Sequence, residues 1–99
     1  MIIYEVNLSI SNNILDKFKK WLKNHIKSML TFSGFEKSYI YNISSDDKNK
    51  TLLCIHYYVD SLDSLEGYFI NYSEEMRKEG LDVFGSQFEA SRRILYPCE

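Results

Sequence analysis

The stretch Thr51–Val59, TLLCIHYYV, decides the fold because it is the most hydrophobic run of the chain. Its leucine, isoleucine, valine and tyrosine side chains predict a strand in a central position of a sheet. The polar segment before it, SSDDKNK, predicts a turn. Residues 35–43, FEKSYIYNI, predict another strand on the far side of that turn.

Two elements precede these strands. Residues 2–10 alternate between apolar and polar side chains, which predicts a strand with one buried face. Residues 14–30 carry apolar side chains at helical spacing and lysines on the opposite side, which predicts an amphipathic helix. Asn12 or Asn13 can cap the start of this helix, and Gly34 can close its end.

A second helix and a last strand follow. Asp60 or Ser61 can cap the helix. Gly80 is expected to stop it, with one further short turn of helix at 81–85. Residues 86–96 predict the last strand. The apolar stripe of the second helix consists of Leu62, Leu65, Phe69, Tyr72 and Met76.

The element order βαββαβ predicts an α+β fold of the ferredoxin-like type. We expect a four-stranded antiparallel-type sheet in the order 4-1-3-2, with two helices on one face. The right-handed crossover is expected to make strands 1 and 3 parallel neighbours. Ninety-nine residues suffice for one such unit, so residues 1–99 are predicted to form a single domain.

Charge is unevenly distributed along the chain. The formal net charge is −2, but residues 1–50 hold eight lysines against five acidic residues, and residues 51–99 hold four basic against nine acidic residues. We interpret the lysines of the first helix as a solvated face beside a complementary acidic helix, rather than as a polyanion site.

Neither nucleic-acid nor membrane binding is predicted. Leu52 and Cys54 take the positions where RNA-recognition domains stack bases on aromatic rings, and Glu5 would repel phosphate. No apolar run approaches the ~20 residues of a membrane helix. The start of the sequence has no charged n-region and no cleavage site, so we expect a cytoplasmic location. Cys54 and Cys98 are then expected to be free thiols.

Three segments resemble a known bacterial family: MIIYEV at 1–6, WLKNHI leading to SGF at 21–35, and FGSQFEASRRIL at 84–95. Their combination resembles the family called domain of unknown function 4286, over essentially the whole chain. Such proteins resemble the dimeric α+β barrel superfamily, in which two ferredoxin-like sheets pair face to face. The resemblance therefore implies a homodimer. It implies no reaction, because the family has no assigned activity.

The same superfamily includes cofactor-free quinol monooxygenases, haem-degrading monooxygenases and muconolactone-isomerase-like enzymes. In the haem-degrading relatives an Asn on strand 1, a Trp after strand 3 and a His on helix 2 hold and activate the haem. Asn7 matches the first of these, but no Trp follows strand 3 and helix 2 contains no His. We therefore predict no haem and no other cofactor.

His25 is the sharpest candidate for a functional residue, because it lies near the middle of the apolar stripe of the first helix. In related barrels a pocket lies between sheet and helices, where a partly buried imidazole could titrate near neutral pH. The alternative is a core histidine whose ring bonds a backbone carbonyl or a tyrosine hydroxyl. A cavity of ~300 Å³ or more beside His25 would favour a functional pocket, whereas a filled core would favour a structural role for this residue. The walls of the pocket would be Tyr4, Trp21, Tyr57, Phe69 and Tyr72.

A second polar group is predicted on the outer face of the sheet, away from the helices. Side chains alternate between the two faces along a strand. Four polar residues on strands 1, 3 and 4 are therefore expected to point outward, namely Glu5, Asn7, His56 and Arg93. Glu5 can pair with Arg93 across neighbouring strands. Cys54 shares this face, but the set does not complete a familiar ligand group, so no metal is predicted.

The outer face also predicts the assembly. On strand 2 the outward residues are expected to be Ser38 and Ile40. A monomer would leave apolar side chains in water on this face, namely Ile3, Ile40, Leu52, Tyr58 and Leu95. We therefore predict a homodimer through this face, with the polar residues enclosed as a network.

Two functions follow from these observations. The first is a homodimeric module that is non-catalytic or binds a small apolar ligand. The alternative is a cofactor-independent enzyme, monooxygenase- or isomerase-like, that uses the pocket around His25.

Overall fold

The computed structural model describes residues 1–98. Four strands form the sheet: β1 (Ile2–Ser11), β2 (Phe35–Ile43), β3 (Lys50–Val59) and β4 (Phe88–Leu95). Three helices accompany it: α1 (Leu15–Met29), α2 (Leu62–Asn71) and α3 (Ser73–Phe84). Short 3-10 turns at Asn12–Ile14 and Gly85–Gln87 lead into α1 and β4. No helix in the described part of the chain is long and apolar enough to cross a membrane.

The strands lie in the order β2-β3-β1-β4, which is the predicted order 4-1-3-2 read from the other edge. All three neighbouring pairs are antiparallel, so the expectation that strands 1 and 3 run parallel is wrong. β1 and β2 run in the same direction because α1 carries the chain back between them. β3 then returns through a turn into the space between β1 and β2, and it therefore runs against both.

The helices pack against one face of the sheet. Alternate side chains of β1 and β3 point towards them, and Tyr4, Ile10, Ile55 and Tyr57 are each at most 2% exposed. The molecule measures 38 × 32 × 17 Å. A thickness of 17 Å corresponds to one sheet and one layer of helices. The outer face of the sheet therefore has no covering layer.

A β-bulge in β2 reverses the side-chain pattern expected for that strand. The register shifts between Phe35 and Lys37, so Glu36 is an extra residue opposite β3. Each residue beyond it lies on the face opposite to the one that strict alternation from Phe35 would give. Ser38 and Ile40 pair with inward-facing residues of β3, and the expectation that they point outward is wrong. The outward residues of β2 are Lys37, Tyr39, Tyr41 and Ile43.

The second predicted helix is broken into α2 and α3 at Tyr72, whose φ is −134°. Two side chains bind backbone carbonyls near the break. Asn71 Nδ2 donates to the carbonyl of Gly67 at 2.9 Å, and Ser73 Oγ donates to that of Phe69 at 2.8 Å. Such bonds compete with the N–H donors of a continuous helix.

Gly80 does not stop the second helix as expected, because it lies inside α3, which continues to Phe84. A Cβ atom at this glycine would lie 3.0 Å from Trp21 and 3.2 Å from Phe88. The absence of a side chain therefore lets α3 approach α1 and β4 closely. The helix ends instead at Gly85, whose φ of +56° favours glycine.

Candidate functional site

The predicted pocket around His25 is a narrow chamber between the helices and the sheet. Its volume is about 50 Å³, which suffices for water molecules but not for a drug-sized ligand. The core at this place is therefore filled. Four of the predicted residues line the chamber, namely Tyr4, Trp21, His25 and Tyr57.

His25 is held by stacking rather than by a hydrogen bond. Its ring lies 4.6 Å from that of Trp21, measured between centroids, with 21° between the planes. Within residues 1–98 its Nδ1 has no hydrogen-bond partner. The carboxylate of Glu79 on α3 approaches Nδ1 to 3.7 Å, which is too long for a hydrogen bond. The expected bond to a carbonyl or a tyrosine hydroxyl is thus not formed in the described chain.

Burial lowers the pKa of His25 below its ordinary value, because desolvation disfavours the imidazolium. The negative charge of Glu79 opposes this effect, and the positive charge of Arg92 adds to it. The ring is therefore neutral at pH 7. A neutral imidazole beside a carboxylate has the protonation state of a general base, but the chamber leaves no room for a substrate.

Besides His25 and Trp21, the polar side chains that line the chamber are three tyrosines and two arginines, namely Tyr4, Tyr57, Tyr68, Arg77 and Arg92. Burial raises the pKa of Tyr57 and of Tyr68 well above the ordinary value, so both phenols stay protonated. The hydroxyl of Tyr4 lies 3.4 Å from Nη2 of Arg77, which donates to it. These groups can hold water by hydrogen bonds, and they leave no charged nucleophile inside the chamber.

Two of the predicted wall residues lie outside the chamber. Phe69 packs edge-on against the ring of Tyr4, with centroids 5.3 Å apart. Tyr72 stacks on Phe32 at 4.6 Å and is 47% exposed. The polar lining residues that the sequence did not indicate are Tyr68, Arg77 and Arg92. The spacing of three residues from Leu65 could have indicated Tyr68.

The second predicted group comes together on the outer face, and Glu5 is its centre. Glu5 lies opposite His56 on one neighbouring strand and opposite Arg93 on the other. The Glu5 carboxylate binds His56 Nε2 at 2.8 Å and accepts from Asn7 Nδ2 at 2.9 Å. It also accepts from Arg93, through Nε and through Nη2. We call these four residues the Glu5 network.

Glu5 is only 3% exposed even though no second layer covers the face. The bond from Arg93 is the largest cause that lowers the pKa of Glu5, and those from Asn7 and His56 add to it. Desolvation opposes them, and the resulting pKa is about 2. Glu5 is therefore ionised throughout the neutral range.

Cys54 brings a third type of metal ligand to this network. The ligand atoms of Glu5, Cys54 and His56 lie within 4.8 Å of one another. The chemistry of the set does not fit a cation, however, because the guanidinium of Arg93 already neutralises Glu5. Burial raises the pKa of the Cys54 thiol, and the charge of Glu5 adds to this, whereas a metal requires the thiolate. That no metal binds stays a prediction, which a zinc titration followed by calorimetry checks.

Aromatic side chains lie beside the Glu5 network on the same outer face. Tyr39 packs edge-on against Tyr58 with centroids 5.7 Å apart, and Tyr41 packs against His56 at 5.3 Å. Tyr39 and Tyr41 are 48% and 47% exposed. We call Tyr39, Tyr41 and Tyr58 the outer aromatic patch. The bulge in β2 places the first two there, which strict alternation along the strand did not predict.

Comparison with known proteins identifies the family. The model of DUF4286, a domain of unknown function, matches residues 1–98. The chain belongs to this family. No curated protein matches the sequence. Membership agrees with the resemblance seen in the sequence, and the family description names no activity.

Solved structures share the fold at low sequence identity. A dimeric ferredoxin-like protein from an uncultured marine organism superposes with a TM-score of 0.74 at 17% identity, over 100% of this chain and 96% of the other. A Deinococcus radiodurans protein named as an antibiotic biosynthesis monooxygenase gives 0.73 at 14% identity, over 100% and 94%. SnoaB, a cofactor-independent oxygenase from Streptomyces nogalater, gives 0.67 at 11% identity, over 99% and 94%. The chain therefore has the ferredoxin-like fold of these proteins.

Proposed function

We propose that this chain is a homodimeric, non-catalytic module whose interior is filled by its own aromatic side chains. The observation that carries the proposal is the chamber volume of about 50 Å³ beside His25. Ligand pockets in proteins usually have volumes of about 300–1,000 Å³. In related barrels a pocket lies between sheet and helices, but in this chain side chains fill that space. Such a protein is better suited to assembly than to catalysis. We propose a cytoplasmic location for it.

The outer face of the sheet supports the dimer. It combines the outer aromatic patch with the Glu5 network, and Tyr39 and Tyr41 each expose almost half of their surface. A stable interface buries about 800 Å² on each partner and is rich in Tyr and Arg at its centre. A solved structure with this fold is described as dimeric. Face-to-face pairing would cover the patch and enclose Glu5 and Arg93.

Light scattering after gel filtration tests the assembly, and the expected mass is twice the 11.7 kDa of one chain. Arg93→Glu places a second carboxylate beside Glu5 and should shift the protein towards monomer. The matched control is Lys17→Glu, the same charge change on an exposed position of α1. Circular dichroism verifies that both variants are folded.

A second pair of variants tests the aromatic part of the interface without touching charge. The double change Tyr39→Ser and Tyr41→Ser should weaken the dimer. Tyr72→Ser removes a ring of equal exposure from the helix side and should leave it intact. A wild-type protein that runs as a clean monomer at low micromolar concentration would contradict the proposal.

The second candidate function is a cofactor-independent oxygenase or isomerase, favoured by the neutral His25 with Glu79 at 3.7 Å and by the fold shared with SnoaB. It requires Trp21 and His25 to move apart and admit a small apolar ligand. Oxygen uptake with a naphthohydroquinone as probe tests it. We expect wild type and His25→Gln to give the same uptake as a protein-free blank. Uptake by wild type that His25→Gln abolishes would instead support the enzyme.

A further inference from the structure

An open groove lies between α1 and β2 on the helix side of the sheet. Its volume is about 570 Å³, more than ten times that of the chamber beside His25. The groove exists because the helices leave the inner face of β2 uncovered beyond Phe35, and Ile40 on that face is 49% exposed. Apolar side chains form its floor and wall, namely Leu22, Ile26, Ile40 and Leu53.

Three lysines border this groove along its helical side. Lys19, Lys23 and Lys27 follow one another at intervals of four residues, so they form one row on α1. The rise of a helix places the first and last Cα atoms about 12 Å apart. Within residues 1–98 none of the three forms an ion pair. All three are exposed, as predicted for a solvated face, but no close contact with an acidic side chain accompanies them in the described chain.

No acidic side chain of α2 or α3 in the described chain lies within ion-pair distance of this row. In the described chain the contact of an α3 carboxylate with a basic side chain of α1 is that of Glu79 with His25, on the side of the chamber. The groove thus combines apolar surface with a row of unpaired positive charge. This combination is complementary to a ligand with an apolar face and a row of negative charges.

We propose that the α1–β2 groove binds an acidic amphipathic helix of a partner protein. The groove is bordered by α1 on one side and floored by strands β2 and β3, and apolar grooves of this kind accept amphipathic helices. The lysines of the row follow one another every four residues. Acidic residues placed four apart along a partner helix would form a matching row. A single small anion would instead need donors that converge on one point. The groove lies on the opposite side of the sheet from the outer face, so the proposal does not rest on the homodimer.

The partner helix should have a recognisable sequence. Leucine or isoleucine at intervals of three and four residues would contact Ile40 and the floor of the groove. Glutamate or aspartate would border that apolar stripe on one side at intervals of four and meet the lysines. Apolar contact would supply affinity, and the charges would fix orientation and speed association.

Fluorescence anisotropy of a labelled synthetic peptide tests the proposal on the full chain. The peptide has about 18 residues, long enough to form a helix, with leucines on one face and a bordering row of glutamates. At about 0.1 M salt, where exposed charges are only partly screened, we expect saturable binding by wild type. The double change Lys19→Glu and Lys23→Glu should weaken it at least about tenfold.

Matched variants distinguish binding in the groove from nonspecific electrostatic attraction. Lys17→Glu with Lys20→Glu makes the same charge change on exposed positions outside the groove and should weaken binding less than about twofold. Ile40→Ser should weaken binding several-fold, whereas Ile70→Ser, at an 82% exposed position of α2, should not. A peptide with lysine in place of each glutamate should not bind.

Several results would overturn the proposal. The first is that the acidic peptide does not bind at concentrations up to about 1 mM. A dissociation constant of that size corresponds to a binding free energy of only about 4 kcal/mol. Another is equal loss of binding in both pairs of lysine variants, because the attraction would then be nonspecific. A third is that vesicles containing phosphatidylglycerol bind in a manner that needs Lys19 and Lys23 while the peptide does not. The groove would then be a membrane-contact surface.

Discussion

Glu5 is a carboxylate buried on a sheet face that has no covering layer, and its three partners account for its ionisation. Their residue types and strand positions were predictable from the sequence, because antiparallel pairing and a period of two fix which side chains meet on a face. The surroundings of His25 were not predictable in the same way. Its contact with Glu79 depends on how α3 packs beside α1, and no local pattern encodes that arrangement.

Replacement of Glu5 by Gln should lower the free energy of unfolding by about 1–3 kcal/mol at pH 7, because it removes a charged acceptor from three partners. The pKa of Glu5 is lowered from 4.5 to about 2 in the folded protein. Its contribution is therefore present above about pH 4.5 and is lost as the pH falls towards 2. Urea unfolding between pH 7 and pH 3, at fixed protein concentration, checks this. The variant should lose less stability in acid than wild type does.

Replacement of His25 by Ala should cost about 2 kcal/mol through lost packing on Trp21, and Gln should cost less. The pKa of His25 is lowered, so the folded state resists protonation. Stability is therefore lost as the pH falls below about 6.5, the ordinary value, and His25→Gln removes this part of the loss. Urea unfolding at pH 7.5 and pH 5 measures it. Identical pH dependence in wild type and His25→Gln would contradict the assignment.

At the scale of elements, the order of strands and helices was predictable because hydrophobic periodicity and turn residues report it directly. The ends of the helices and the interruptions of helices and strands were not predictable. Ser61 caps α2 as predicted, by accepting from the N–H of Ser64 at 3.2 Å. Asn12 instead donates to the carbonyl of Lys48 in the turn before β3 and accepts from the hydroxyl of Thr51 in β3. A long-range contact of this kind competes with the local cap and has no signature in sequence.

The two glycines within helices should respond oppositely to alanine. Gly67→Ala meets nothing within 4 Å, and the better helix propensity should stabilise the protein by up to about 1 kcal/mol. Gly80→Ala must push aside the rings of Trp21 and Phe88, at 3.0 and 3.2 Å. Overpacking should outweigh propensity there and destabilise by about 1 kcal/mol. Thermal unfolding of both variants measures the contrast, and a stabilising Gly80→Ala would show that α3 is not closely packed.

At the scale of the whole molecule, a slab 17 Å thick has a high ratio of surface to volume. Its core is one layer of side chains between sheet and helices, and the homodimer that we propose would add a second layer on the outer face. The sequence predicted the composition of that face except on β2. There the bulge turns Tyr39 and Tyr41 outward in place of the expected Ser38 and Ile40.

The proposed dimer should make stability depend on protein concentration. Because association stabilises the folded state, each tenfold increase in concentration should add about 1.4 kcal/mol per mole of dimer. Scanning calorimetry over a hundredfold range of concentration should therefore show a rising midpoint. The Arg93→Glu variant should show a smaller rise. A midpoint independent of concentration in wild type would contradict the dimer.

The bulge at Glu36 also makes β2 unusual in its tolerance of genetic deletion. Loss of the Glu36 codon removes the extra residue and joins Phe35 directly to Lys37, which already pair with consecutive residues of β3. Every other side chain of the strand keeps its face. Loss of a codon further along, such as that of Tyr39, forces the neighbouring residues to exchange faces and brings Lys37 towards the core. A codon-deletion scan should therefore tolerate loss of Glu36, or of Lys37 with Glu36 taking its place, but not loss of a central residue such as Tyr39.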